Sequence, residues 1–150
     1  MKRLLTALAM GLCLVWFAGN VFAAPGKQAE AKGLVKKAVA FYKANGKDKA
    51  FAEISSKSGQ FYKGELYIFV LDGNGHMLAH GDNPKMIGKN MLELKDSDGK
   101  YFIKEFVKIA KRGGGWTDYK WTNPETKRIG EKHTYIESSG DLIFGCGTYK

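Results

Sequence analysis

The stretch from Trp116 to Lys150 constrains this chain more than any other. It reads Gly115-Trp116-Thr117-Asp118-Tyr119-Lys120-Trp121, then Asn123-Pro124, then Lys132-His133-Thr134-Tyr135-Ile136, then Ile143-Phe144-Gly145-Cys146-Gly147-Thr148-Tyr149. Apolar and polar residues alternate in the first two runs, the period-2 signature of a sheet with two unlike faces. Asn123-Pro124 is a turn, because proline fixes its own φ and drives the preceding residue out of the helical region. Ser138-Ser139-Gly140-Asp141 supplies a second turn. The expectation is an antiparallel meander, with the remainder of the chain covering it and closing a pocket on it.

The first 23 residues read as a signal peptide. Lys2 and Arg3 form a positive n-region, Leu4 to Phe17 an apolar h-region, and Val21-Phe22-Ala23 a cleavage motif before Ala24. The apolar run is short for a membrane span. Residues 24–150 are then one domain, large enough to bury a core without staples. Removing Lys2 and Arg3 lowers the formal charge from +9 to +7. The lysines are scattered rather than bunched, and export argues further against a nucleic-acid partner. A positive field favours small anions instead. Cys146 is the cysteine that remains after cleavage, so an intramolecular disulfide is excluded. Its setting between glycines in an apolar strand predicts a buried, inert thiol.

Further along the chain, Ala31, Leu34, Val35, Ala38, Val39 and Tyr42 recur at helical spacing, which predicts a helix over 26–42 closed by Asn45-Gly46. A short helix is expected over 48–54. Glu65 to Asp72 reads as one strand, with Leu66, Ile68 and Val70 facing one way and Tyr67, Phe69 and Leu71 the other. Both faces are apolar, so the strand is expected to be covered on both sides. Asp72-Gly73-Asn74-Gly75 turns the chain into a strand over 76–80. A long loop follows over 81–95, of the kind that often carries function. Asp96 or Asp98 is expected to cap a helix running to about Lys111, with Phe102, Ile103, Phe106, Val107 and Ala110 on one face.

Catalytic and metal motifs are missing from the sequence. Asp96-Ser97-Asp98-Gly99 fails the EF-hand pattern, since Lys100 and Val107 occupy ligand positions. His76, His80 and His133 lack metal spacing. No nucleophile elbow or haem attachment motif occurs. What remains is a set of aromatics with a lysine: Tyr67, Trp116, Tyr119, Trp121, Lys132 and Tyr135, all on strands of one sheet. Strand parity places Thr117, Tyr119 and Trp121 on one face and Trp116, Asp118 and Lys120 on the other, and only one face can line a pocket. An aromatic-lined pocket with a few converging polar groups suits a small ligand.

Leu66-Tyr67-Ile68-Phe69-Val70-Leu71-Asp72, Leu78-Ala79-His80, Asn83-Pro84, Ile87-Gly88-Lys89-Asn90, the run 115–121, Lys132-His133-Thr134-Tyr135 and the run 145–149 occur in order. Together they resemble the single Cache domain, an extracellular PAS-like sensor module of bacterial chemoreceptors and histidine kinases. The resemblance covers residues from about 30 to 150. It implies an α+β fold, with a long N-terminal helix on a five- or six-stranded antiparallel sheet. It also implies a pocket for a short organic anion of the acetate, propionate, pyruvate or lactate type.

The expected ligand set is Tyr67, His80, Phe102, Trp116, Tyr119, Trp121, Lys132 and Tyr135. Lys132 is the expected charge partner, His80 and a tyrosine hydroxyl the orienting groups, and the rings the walls. Cofactor, metal and catalytic residues are not expected. The sequence shows no second membrane segment and no kinase or methyl-accepting module. The expectation is therefore a free-standing periplasmic sensor acting through a membrane-bound receptor or kinase partner, in signal transduction or chemotaxis. An exported enzyme using Cys146 or His80, and a ligand-free partner-binding subunit, are the alternatives. Reactivity of Cys146 toward an alkylating agent separates the first of these from the sensor.

Overall fold

The computed structural model describes residues 26–150; the expected signal peptide lies outside the described residues. Helix α1 spans Lys27–Asn45 and buries Ala31, Val35, Ala38 and Val39, the stripe its spacing predicts. Gly46 closes it with φ 81° and donates its N–H to the Tyr42 carbonyl at 2.9 Å. Helix α2, Lys47–Ile54, follows at once and buries Ala50 and Ile54.

Seven strands follow: β1 Tyr62–Lys63, β2 Leu66–Tyr67, β3 Phe69–Asp72, β4 Met77–His80, β5 Gly114–Thr122, β6 Ile129–Ser139 and β7 Leu142–Tyr149. β1 and β2 form a small hairpin of their own; the others make one antiparallel sheet in the order β4-β3-β7-β6-β5. The meander is therefore present, and β7 from it forms the centre of the sheet. Thr122 leads into the Asn123-Pro124 turn, where the Asn123 carboxamide oxygen accepts from Glu125 N at 2.8 Å and Thr126 N at 3.2 Å.

The run from Glu65 to Asp72 is not one strand. It divides at Ile68, whose N–H donates to Phe61 and whose carbonyl accepts from Gly81. Its face assignment holds across the break. Leu66, Ile68 and Val70 join the core under α1 and α2, while Tyr67, Phe69 and Leu71 join the core on the opposite side. Helix α3, Phe102–Ala110, covers that second side together with the loop over 81–95, which contributes Met86 and Met91.

Neither Asp96 nor Asp98 caps α3. The helix begins after Tyr101 without a side-chain cap. Asp96 is engaged elsewhere: one oxygen accepts from Asp98 N at 3.0 Å and Lys100 N at 2.8 Å, the other from Lys120 N at 2.9 Å. Its carboxylate thus pins the segment before α3 to edge strand β5. Among the described residues no helix is long and apolar enough to cross a membrane.

Candidate functional site

Between the sheet and α3 lies a cavity lined by Tyr67, Phe69 and His80 from the strands, Phe102 and Phe106 from α3, and Met86 from the loop. Tyr119 and Trp121 of β5 complete the wall. Its volume is about 10 Å³, room for roughly one water. The rings are locked to one another. Phe102 stacks on Tyr119 with centroids 4.5 Å apart and planes 4° from parallel. Phe106 meets Tyr119 edge-on at 5.3 Å, and Phe69 stacks on Phe106 at 5.5 Å.

His80 supplies a polar group with a fixed proton. Its Nδ1 accepts from Asp82 N at 3.2 Å and Asn83 N at 2.9 Å. A nitrogen that accepts cannot carry hydrogen, so the neutral ring bears its proton on Nε2 and is a donor there. Burial, reinforced by the charge of Lys132, lowers its pKa to about 3. The same two bonds fix the entry of the loop over 81–95.

Lys132 is the second polar group, and it is fully buried. Register pairs it with Tyr119, so the two share a face. Its ammonium stands 3.9 Å from the centroid of the Tyr67 ring and 5.2 Å from that of Tyr149. Lys132 Nζ and Thr134 Oγ1 are, among the described residues, buried polar atoms without a hydrogen-bond partner. Burial lowers the Lys132 pKa to about 7. Unpaired buried ammonium is costly, and such groups concentrate where a ligand completes them.

Space for this side chain comes from Gly147 on the adjacent strand. A Cβ there would overlap Thr134 Oγ1 and come 2.8 Å from Lys132 Cε. Gly145 plays the same part for Phe69, whose ring lies against it. Cys146, between them, points to the α1 side, where burial pushes its thiol up to about 12.

The fold brings together five of the eight expected residues as cavity wall: Tyr67, His80, Phe102, Tyr119 and Trp121. Lys132 does not line the cavity, but its ammonium stands over the Tyr67 ring that does. Trp116 and Tyr135 are elsewhere. They pair across β5 and β6 and pack on the α1 side, with Lys32 of α1 over the Tyr135 ring at 5.1 Å. Trp116 stacks on His133 at 4.5 Å, and His133 Nδ1 pairs with Asp118 at 2.5 Å. Phe69, Met77, Met86, Ile103 and Phe106 line the cavity without having been singled out as site residues. Phe69 is two positions from Tyr67 in a run that keeps its alternation across the break at Ile68, and Phe106 four from Phe102 on a helix, so periodicity carries their signal. Nothing local marks Met86, which ends the short 3-10 turn Pro84–Met86 within the loop over 81–95.

The sequence model of the family described as single Cache domain 2 matches residues 25–149. The chain belongs to this family. Cache domains of this kind are extracellular or periplasmic sensors, and the chain is similar to stretches of larger signalling proteins. It is 36% identical over 90 residues to the sensor histidine kinase MctS of Rhizobium johnstonii, matching 59% of this chain and 20% of that protein. It is 28% identical over 91 residues to the methyl-accepting chemotaxis protein McpP of Pseudomonas putida, matching 59% of this chain and 17% of that protein. The matches thus span about a fifth of the length of these relatives.

Among solved structures, a methyl-accepting chemotaxis protein from Vibrio parahaemolyticus superposes with a TM-score of 0.70 at 22% identity, covering 81% of this chain and 87% of that one. A Cache chemosensory domain solved as a basis for carboxylic acid recognition superposes with a TM-score of 0.63 at 26% identity, covering 81% and 86%. The Cache architecture of a helix on a five-stranded antiparallel sheet is therefore shared.

Proposed function

We propose that this Cache domain is a periplasmic sensor for a short organic carboxylate. It passes its occupancy to a membrane-bound receptor or kinase partner in signal transduction or chemotaxis. The observation that carries the reading is Lys132: a fully buried ammonium without a hydrogen-bond partner among the described residues, beside an aromatic cavity. A carboxylate would complete it with charge-assisted hydrogen bonds, the strong kind. His80 Nε2–H and a tyrosine hydroxyl would orient the second oxygen. Tyr67, Phe102, Tyr119 and Trp121 would wall the short hydrocarbon part. The 26%-identical neighbour described for carboxylic acid recognition supports the same ligand class.

The enzyme reading has less support. Cys146 faces away from the cavity with its thiol pKa pushed up to about 12. A thiol in that state is a poor nucleophile.

A thermal-shift screen of short mono- and dicarboxylates, amino acids and urea tests the proposal. One or more carboxylates are expected to raise the melting temperature. A shift given by a neutral or cationic compound and by no acid would overturn the ligand class.

A further inference from the structure

Lys132 and the cavity share a face of the sheet, yet the ammonium does not line the cavity. Tyr67 does, and its ring also carries the ammonium over it, with Lys132 Nζ 3.9 Å from the centroid. Two aromatic faces, Tyr67 and Tyr149, are the favourable company this cation has. A cavity of about 10 Å³ holds no more than about one water, less than the smallest organic acid. A carboxylate therefore reaches Lys132 only when a wall group gives way.

We infer, resting on the carboxylate reading above, that Tyr67 is the group that gives way. Its ring stands in for the ligand's negative charge in the empty site and turns off the ammonium when a carboxylate arrives. The exchange replaces a cation–π contact with charge-assisted hydrogen bonds, so the ring sets an affinity threshold that a weak or neutral ligand does not pass.

Position in the fold, rather than loose packing, singles out this ring, which is itself fully buried. Phe69 is wedged on Gly145, and Phe102 lies flat on Tyr119 at 4.5 Å. Tyr67 instead ends the two-residue strand β2, beside the break at Ile68 and outside the five-stranded sheet. Two rings flank it: Tyr62 of the same hairpin, half-buried at 6.5 Å, and His80 of β4 at 5.0 Å. Turning the ring off the ammonium parts it from His80 but breaks no strand pairing of the five-stranded sheet. That hairpin is tied to α1 by Lys63–Glu30 at 3.5 Å, and Lys27 of α1 pairs with neighbouring Glu65 at 3.0 Å.

The test is a nuclear magnetic resonance titration of wild-type protein with sodium acetate, then sodium propionate, against sodium chloride of equal ionic strength. Melting is followed on the same samples. In the empty protein the ring current of Tyr67 holds the Lys132 ε-CH2 protons upfield. An acid that raises the melting temperature is expected to release this shift, and chloride to do neither. Tyr67→Leu is expected to lack the upfield shift. It is also expected to bind the acid on the order of tenfold more tightly than Tyr67→Phe, which keeps the ring but also lacks the hydroxyl. A raised melting temperature with the Lys132 signal still upfield would overturn the displacement and leave the carboxylate reading standing. Failure of every acid in the screen above to change either signal would overturn the two together. Should Tyr67→Leu not fold, the wild-type titration decides alone.

Discussion

Lys132 carries a charge whose cost depends on pH. In the unfolded chain its pKa is the ordinary 10.5, and in the fold burial lowers it to about 7. The fold thus favours the neutral amine. The penalty is fully present below about pH 7 and fades as pH rises toward 10.5. Lys132→Met is expected to raise the melting temperature of the empty protein most near pH 6, and progressively less toward about pH 9. Binding has the opposite slope. A carboxylate prefers the ammonium, so affinity is expected to be flat just below about pH 7 and to fall by up to about tenfold per unit above it. Calorimetric titration across pH checks both the sign and the midpoint.

The same Lys132→Met change is expected to weaken carboxylate binding by roughly ten- to more than a hundredfold, since hydrogen bonds to charged groups contribute about 1.5–3 kcal/mol. Lys120→Met is the control: Lys120 lies on the other face of β5, half-buried, and its loss is expected to change affinity far less. Gly147→Ala would press a methyl group into Thr134 and Lys132. It is expected to cost about 1–3 kcal/mol of stability by overpacking, read by denaturant unfolding.

That Lys132 and Tyr119 share one face follows from the register between β5 and β6, which neither strand's own pattern encodes. Parity within each strand does separate Trp116 from Tyr119 and Tyr135 from Lys132. Their inclusion together reflects residue type rather than spacing. What spacing cannot express is depth. That Tyr67 covers Lys132 depends on the hairpin's position, which no local pattern encodes.

At the scale of elements, the helix α1, the meander and the two-faced run 66–71 were readable because burial imposes a strict period on each. The start of α3 was misread. Asp96 has the composition of a cap, but a carboxylate that can reach three backbone N–H groups, one of them on β5, serves as a clasp instead. The break at Ile68 was equally hidden, since the residues on both sides keep their alternation. Asp96→Ala is expected to leave α3 intact in circular dichroism. It should also increase hydrogen exchange at Lys100 and Lys120, the amides that lose their acceptor. Unchanged exchange at Lys120 would remove the clasp from the account.

At the scale of the molecule, one sheet separates two cores of different make-up. The α1 side is filled by aliphatic residues, aromatics and Cys146. The α3 side holds the cavity, His80 and the ammonium. The excess of basic residues, +7 without Lys2 and Arg3 of the expected signal peptide, adds a field that favours small anions. Anything bound only by the folded form stabilises it by mass action, about 2.7 kcal/mol at a hundredfold excess over Kd. A saturating carboxylate is therefore expected to shift the whole unfolding transition, because the site joins β2, β4, β5 and α3.

The most direct measurement is titration calorimetry of the wild-type protein at about pH 6.5 with matched pairs, acetate against acetamide and propionate against propionamide. Each pair has nearly the same shape and differs in charge. The account predicts that at least one acid binds and that its amide binds at least about tenfold more weakly, the difference being the charge-assisted bond to Lys132. An amide that binds as tightly as its acid would contradict a buried ammonium as the group that reads the ligand.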